Sequence, residues 1–119
     1  MKKTLTLFLL LFVLNNTQTQ AQLTFHDYSG KTITGDSIDF SIYYGKKVMV
    51  VNTASYCGYT HQYTDLEILY TNYHQYDFEI IGFPCNDFAN QEPGADSTIL
   101  HFCEGYNVTF QMMSKIATI

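Results

Sequence analysis

The sequence predicts one domain of the α/β class, with a strand–helix–strand unit at its centre. Residues 47–52 and 76–83 are short runs rich in apolar side chains, which is typical of buried strands. Between them, residues 60–73 carry apolar side chains at helical spacing. This order favours parallel pairing of the two strands through a right-handed crossover. A chain of 119 residues is long enough for one such domain.

The first residues predict a signal peptide, residues 1–21, that is removed on export. Two lysines precede the apolar run 5–14, and polar residues then lead to Ala21 at a plausible cleavage position. The run is shorter than the roughly 20 residues that a membrane-spanning helix needs. We therefore expect a domain of residues 22–119 that is periplasmic or secreted and has no membrane attachment once the signal is removed.

The charge of the remaining domain excludes a nucleic-acid partner. Residues 22–119 hold 4 lysines and all 11 acidic residues, so the net charge is 4 minus 11, or −7. The chain has no arginine, and such an acidic domain lacks the basic surface that nucleic acids require. Aromatic residues make up 16% of the chain, which is enough apolar material for a packed core.

Shorter elements are predicted on both sides of the central unit. Alternating residues within 23–33, interrupted at Ser29-Gly30, indicate a short hairpin, and residues 39–44 indicate a turn of helix ended by Gly45. After the second strand, residues 84–94 are rich in Asn, Asp, Pro and Gly, as in a loop. A second helix is predicted to start with Ser97 as its cap and to run to about residue 104.

Cys57 is the first candidate for chemistry, because a short turn delivers it to the start of the predicted helix. Unpaired amide groups at a helix N-terminus stabilise a thiolate, which is the reactive form of cysteine. A thiolate attacks the O–O bond of a peroxide and becomes a sulfenic acid. The small residues Ala54, Ser55 and Gly58 leave room for a substrate. The alternative is a buried structural cysteine.

Gln91 and Cys103 are the other candidates. The ends of parallel strands lie side by side, so the loop holding Gln91 is expected near Cys57, where its amide could donate to a thiolate. Cys103, on the second helix, could condense with a sulfenic acid or simply pack as a small apolar residue. Cys85 follows a strand end and is expected in the core. No cysteine pair has C-x-x-C spacing, and no metal site or bound cofactor is expected.

The motifs around these residues resemble those of the glutathione peroxidases. The segment 52–60 resembles the peroxidatic cysteine motif of that family, and segments 83–88 and 91–94 resemble its second and third signatures. Phe102-Cys103 followed by 108–110 is similar to the resolving-cysteine region of the non-selenium branch. These motifs occur in family order, and the resemblance covers residues 22–116.

The resemblance implies a thioredoxin-like fold and a thiol peroxidase that reduces hydrogen peroxide or organic hydroperoxides under oxidative stress. It implies that Cys57 is the peroxidatic cysteine, Gln91 the active-site amide and Cys103 the resolving cysteine. Family members with a cysteine like Cys103 usually take electrons from thioredoxin-like proteins rather than from glutathione. A chain without arginine is also poorly equipped to hold anionic glutathione.

The sequence departs from the family pattern in four places. Asp87 replaces the usual glutamine, Ala89-Asn90 a glycine pair, and Gln111 a proline. The chain has no tryptophan, so the family's Trp-Asn-Phe motif is absent from it. We therefore expect an incomplete domain without its C-terminal strands, in which residues 48–51 form an exposed apolar edge and stability is low.

Two other functional hypotheses use the same residues. A peroxide sensor or redox relay would pass its disulfide to a partner protein, whereas an inactive truncated fragment would show no site-selective oxidation. Mass measurement after peroxide treatment separates the fragment from the others, because a bond between Cys57 and Cys103 removes two hydrogens.

Overall fold

The computed structural model describes residues 21–117, and all of its elements lie within that range. The predicted signal peptide lies outside the described residues apart from Ala21. The elements are, in chain order, a 3₁₀ turn at Phe25–Asp27, β1 (Ser29–Lys31), β2 (Ser37–Asp39), a 3₁₀ turn at Phe40–Tyr43, β3 (Lys47–Thr53), α1 (Gln62–Tyr73), a 3₁₀ turn at His74–Tyr76, β4 (Phe78–Pro84), α2 (Asp96–Gly105) and β5 (Gln111–Met112).

The predicted strand–helix–strand unit is confirmed as β3–α1–β4. The two strands pair in parallel over their full length, from Lys47 opposite Phe78 to Thr53 opposite Pro84. β5 adds a short parallel pairing on the other side of β4, so the strand order is β3-β4-β5. Parallel pairing brings the carboxyl ends of β3 and β4 together, and the loops after both strands therefore start at one edge of the sheet.

The nearly continuous apolar run at 47–52 predicts a strand buried on both faces, and this prediction is wrong. Among residues 21–117, β3 pairs with β4 alone, and 37% of Met49 and 50% of Val50 are exposed. Within residues 21–117, β3 is therefore an edge strand with an exposed apolar edge, as the resemblance implied. Apolar composition predicted the strand correctly, but it could not show on how many sides that strand is covered.

The predicted hairpin forms further along the chain than expected. β1 and β2 are antiparallel, with Ser29 opposite Asp39, and their connection turns at Gly35, whose φ is +97°. The residues assigned to the first arm instead form a 3₁₀ turn, because the Asp27 carboxylate accepts hydrogen bonds from the Thr24 amide and hydroxyl. The helical turn predicted within 39–44 is confirmed, and the Asp39 side chain caps it.

Both helices start at positions that differ from those predicted. α1 begins at Gln62 rather than residue 60, and α2 begins at Asp96 with Ala95 as its N-cap. Ser97, the predicted cap, lies inside α2, since the carbonyl of Ala95 accepts the first amide hydrogen bonds. No helix between residues 21 and 117 combines the length and apolarity that crossing a bilayer requires.

Apolar clusters cover both faces of the sheet around β4. Ile80 and Ile81 are fully buried, and consecutive strand residues point to opposite faces. Ile80 packs in a cluster with Tyr63 and Ile99, while Ile81 packs in a second cluster with Phe40. β4 is therefore the structural centre of the described chain, and it fixes the position of the loop that follows it.

We expect Ile99→Ala to lower the free energy of unfolding by about 2–5 kcal/mol, because it leaves a cavity in the core. Only 1% of Ile99 is exposed. Ile68→Ala is the matched control on the other helix, where 55% of the side chain is exposed, and it should cost less than about 0.5 kcal/mol. Urea denaturation measures both values. Equal losses in the two variants would contradict the assignment of the core.

Candidate active site

Cys57 lies in a series of turns between β3 and α1. α1 starts at Gln62, two residues later than predicted, so Cys57 lies five positions before the helix (62 minus 57) and not at its first turn. The sulfur nevertheless accepts a hydrogen bond from the Tyr59 amide, with an N···S distance of 3.4 Å. The turns therefore supply a backbone donor for the sulfur, although the helix itself does not.

Cys57 and Gln91 line one cavity of about 250 Å³ at the carboxyl ends of β3 and β4. Tyr63, on the first turn of α1, forms part of the wall, and so does Phe88 from the loop after β4. Cys57 is partly exposed. The structure thus brings together the first two predicted site residues, as the parallel-strand argument expected, and it leaves room beside the sulfur for a small ligand.

Three hydrogen bonds join the Cys57 turn to the loop that carries Gln91. The Tyr56 amide donates to the Gln91 carbonyl at 3.0 Å. The Ser55 amide and hydroxyl both donate to Oε2 of Glu92, at 2.7 and 2.9 Å. The Cys57 turn and the loop that carries Gln91 are therefore joined directly by hydrogen bonds between consecutive residues.

Glu92 is the site residue that the sequence interpretation missed. Its exposed fraction is 0%, and its amide donates to Oδ1 of Asn86 at 2.9 Å. Burial raises the pKa of the Glu92 carboxyl, although the hydrogen bonds from Ser55 and the charge of Lys115 act in the opposite direction. Its Oε1 has no hydrogen-bond partner among residues 21–117. The available signal was the acidic residue next to Gln91 in the third motif.

Cys103 does not line the Cys57 cavity in this structure. It lies on α2 within the Ile80–Ile99 cluster, is 2% exposed, and lines a different cavity. Burial, and secondarily the charge of Glu92, raises the pKa of the Cys103 thiol to about 11. The packing alternative therefore describes the observed state, in which all three cysteines are free thiols.

The positions of Cys85, His61 and Asp87 are as follows. Cys85 is fully buried, as expected, and also borders the Cys57 cavity. His61 is exposed at the N-cap of α1. Asp87 is exposed as well, and it is not among the described residues that line the cavity.

Comparison with known sequences gives consistent matches. The family model described as glutathione peroxidase matches residues 25–118. A glutathione peroxidase-like peroxiredoxin of Schizosaccharomyces pombe is 52% identical over 93 residues, which are 77% of this chain and 59% of that protein. A hydroperoxy fatty acid reductase of Synechocystis is 41% identical over 98 residues, 82% of this chain and 58% of that protein. The chain thus spans a little under 60% of these relatives.

Solved structures support the predicted fold class. The crystal structure of Trgpx in apo form superimposes with a TM-score of 0.61 at 37% identity, covering 82% of this chain and 56% of that one. A thioredoxin-family thiol:disulfide interchange protein of Chlorobium tepidum gives a TM-score of 0.62 at 15% identity, covering 75% and 57%. The second likeness concerns the fold alone, and it confirms that the architecture is thioredoxin-like.

Proposed function

The chain belongs to the glutathione peroxidase family, and from that premise we propose that it reduces hydrogen peroxide or organic hydroperoxides with a cysteine thiol. The observation that carries the proposal is the shared cavity of Cys57 and Gln91 at the carboxyl ends of two parallel strands. Such a cavity holds a nucleophile, an uncharged donor and space for a peroxide. We place this activity in defence against oxidative stress.

In the first step, the Cys57 thiolate attacks one oxygen of the peroxide. The S–O bond forms as the O–O bond breaks, so the sulfur is oxidised to a sulfenic acid and the leaving oxygen takes up a proton as water or an alcohol. The Tyr59 amide stabilises the sulfur anion before attack. The Gln91 amide, on the same cavity, is assigned to donate to the oxygen that leaves.

In the second step, we assign Cys103 as the thiol that resolves the sulfenic acid. Its sulfur displaces the hydroxyl from Cys57, which forms a disulfide and releases water. Since Cys103 is buried in an apolar cluster and does not line the Cys57 cavity, its side chain has to leave that cluster first. Leaving the core also removes the burial that raises its pKa, so the movement and the activation of this thiol occur together.

We propose that a thioredoxin-like protein reduces the disulfide between Cys57 and Cys103 back to two thiols. Residues 22–119 contain only 4 lysines and no arginine, which gives little capacity to bind the carboxylates of glutathione. The predicted export signal in residues 1–21 supports a periplasmic or secreted location, where this reductant would have to be available.

Peroxide consumption with two alternative reductants tests this proposal. We expect consumption of hydrogen peroxide and of a fatty acid hydroperoxide with a thioredoxin system, and consumption at least about tenfold slower with glutathione. A fatty acid hydroperoxide is included because the Synechocystis relative is named for that substrate. Absence of consumption above the buffer rate with both reductants and both peroxides would contradict the proposed activity.

A further inference from the structure

The carboxyl of Glu92 connects two segments that the proposed reaction needs to hold at a fixed separation. Its Oε2 accepts both donors of Ser55, two residues before Cys57. The adjacent residue, Gln91, accepts the Tyr56 amide through its carbonyl and lines the cavity. A single dipeptide thus carries the active-site amide and fixes two consecutive residues of the cysteine turn.

We propose that Glu92 is a positioning residue that sets the separation between the Cys57 sulfur and the Gln91 amide. It has no contact with the peroxide and acts through Ser55. The inference rests on the proposed peroxidase function, because it concerns the geometry of the same cavity. It explains how the turn that carries Cys57 and the loop that carries Gln91 are held in one arrangement before the peroxide binds.

The environment of Glu92 indicates that its carboxyl does not increase the stability of the fold. A fully buried carboxyl loses its hydration, and its Oε1 has no compensating partner among the described residues. No basic side chain in residues 21–117 forms an ion pair with it either. Replacing both partners of a buried hydrogen bond by apolar groups of the same shape can be nearly neutral or stabilising. The interaction that distinguishes Glu92 is its pair of bonds to Ser55.

The loop that carries Glu92 is itself fixed by hydrogen bonds, so the position of the Glu92 carboxyl is well defined. Asn86 accepts the Glu92 amide, and the Lys115 ammonium donates to the carbonyls of Glu92, Pro93 and Gly94, most closely to Gly94 at 2.5 Å. Lys115 comes from the segment just after β5. Movement of the Cys57 turn relative to Gln91 therefore requires the two Ser55–Glu92 hydrogen bonds and the Tyr56–Gln91 hydrogen bond to break, rather than a displacement of the whole loop.

The test is the rate at which one portion of hydrogen peroxide oxidises Cys57 in the full chain, followed by trapping of the sulfenic acid. Glu92→Ala should slow this rate roughly 10- to 100-fold, the range expected when reacting groups are displaced by about 1 Å. Glu92→Gln should restore most of the rate, because its amide oxygen can still accept from Ser55. Alkylation of Cys57 by iodoacetamide, which does not need Gln91, should change by less than about threefold in both variants.

Glu67→Ala is the matched structural control. The Glu67 carboxylate accepts the amide and the hydroxyl of Thr109, 42 residues away in sequence, and Glu67 does not line the Cys57 cavity. Glu67 thus joins two distant segments through a carboxylate in the same way as Glu92, but at a different place in the fold. We expect Glu67→Ala to leave the peroxide rate at the wild-type value, whatever its effect on the melting temperature.

A double-mutant cycle with Gln91→Ala separates positioning from general support. If Glu92 acts by placing Gln91 and Cys57, Gln91→Ala should slow oxidation much less in the Glu92→Ala background than in the wild type. Multiplicative effects of the two substitutions would overturn the inference, and so would a wild-type rate for Glu92→Ala. If Glu92→Ala does not fold, Ser55→Ala decides, because it removes one of the two bonds and an unchanged rate would contradict the proposal.

The same assay distinguishes failure of this inference from failure of the proposed function. Absence of peroxide oxidation of Cys57 in the wild type would remove the peroxidase proposal and the positioning role with it. Normal oxidation in the wild type together with an unaffected Glu92→Ala variant would remove only the role of Glu92.

Discussion

A Cys57→Ser variant is expected to lose peroxide reduction by roughly three orders of magnitude or more, because a serine hydroxyl stays protonated and is a poor nucleophile toward an O–O bond. The fold should be unaffected. Cys57 is partly exposed in a turn, and its sulfur accepts one backbone hydrogen bond that a hydroxyl can also accept. Initial rates of peroxide loss with an excess of thioredoxin, together with the melting temperature, measure both properties.

Cys85→Ala is the control for this experiment. Cys85 is fully buried, and its sulfur has no assigned role in the reaction. We expect a lower melting temperature, since buried atoms are removed, but peroxide loss within a few-fold of the wild type at a temperature where both proteins are folded. A Cys57→Ser protein that consumes peroxide at the wild-type rate would contradict the assignment of the nucleophile.

A Cys103→Ser variant is expected to keep the first oxidation but to lose steady-state turnover by at least about tenfold, because the sulfenic acid on Cys57 then has no internal thiol to react with. Single-turnover measurements should show one peroxide consumed per chain at the wild-type rate. The intact mass should rise by one oxygen, whereas the wild type should lose two hydrogens as the disulfide forms.

Because Cys103 is buried, the effect of this substitution on stability has to be separated from its effect on turnover. Placing a hydroxyl in the Ile80–Ile99 cluster costs on the order of 1–3 kcal/mol, so the variant has to be compared at a temperature where it is folded. Cys103→Ala should behave in the same way without that hydroxyl. Wild-type turnover in either folded variant, with a mass loss of two hydrogens, would show that another thiol resolves Cys57.

The central unit of the fold was predictable because its pattern is set by local sequence. Apolar runs at 47–52 and 76–83, with helical spacing between them, leave few arrangements other than β3–α1–β4. The hairpin was misplaced because the Asp27 side chain closes a 3₁₀ turn over residues that alternate like a strand. The exposure of Val50 depends on which strands flank β3, and this information is absent from the strand's own composition.

The meeting of Cys57 with Gln91 was predictable from topology alone, since both follow the carboxyl ends of adjacent parallel strands. Glu92 was not predictable in the same way. A glutamate in a polar loop is usually solvated, whereas this one is buried and hydrogen-bonded to Ser55, 37 residues earlier in the chain. For Cys103 the sequence left two interpretations open. The structure shows Cys103 packed in the core, whereas its proposed role as the resolving thiol requires a second conformation in which it leaves the core.

Mapping the first site of oxidation tests the central claim most directly. The protein would be treated with one equivalent of hydrogen peroxide in the presence of dimedone, which captures sulfenic acids, and each cysteine would be analysed by peptide mass spectrometry. We predict that the dimedone adduct forms on Cys57 and that Cys85 and Cys103 carry none. An adduct found first on either of the other cysteines, or no adduct while peroxide is consumed, would contradict the account.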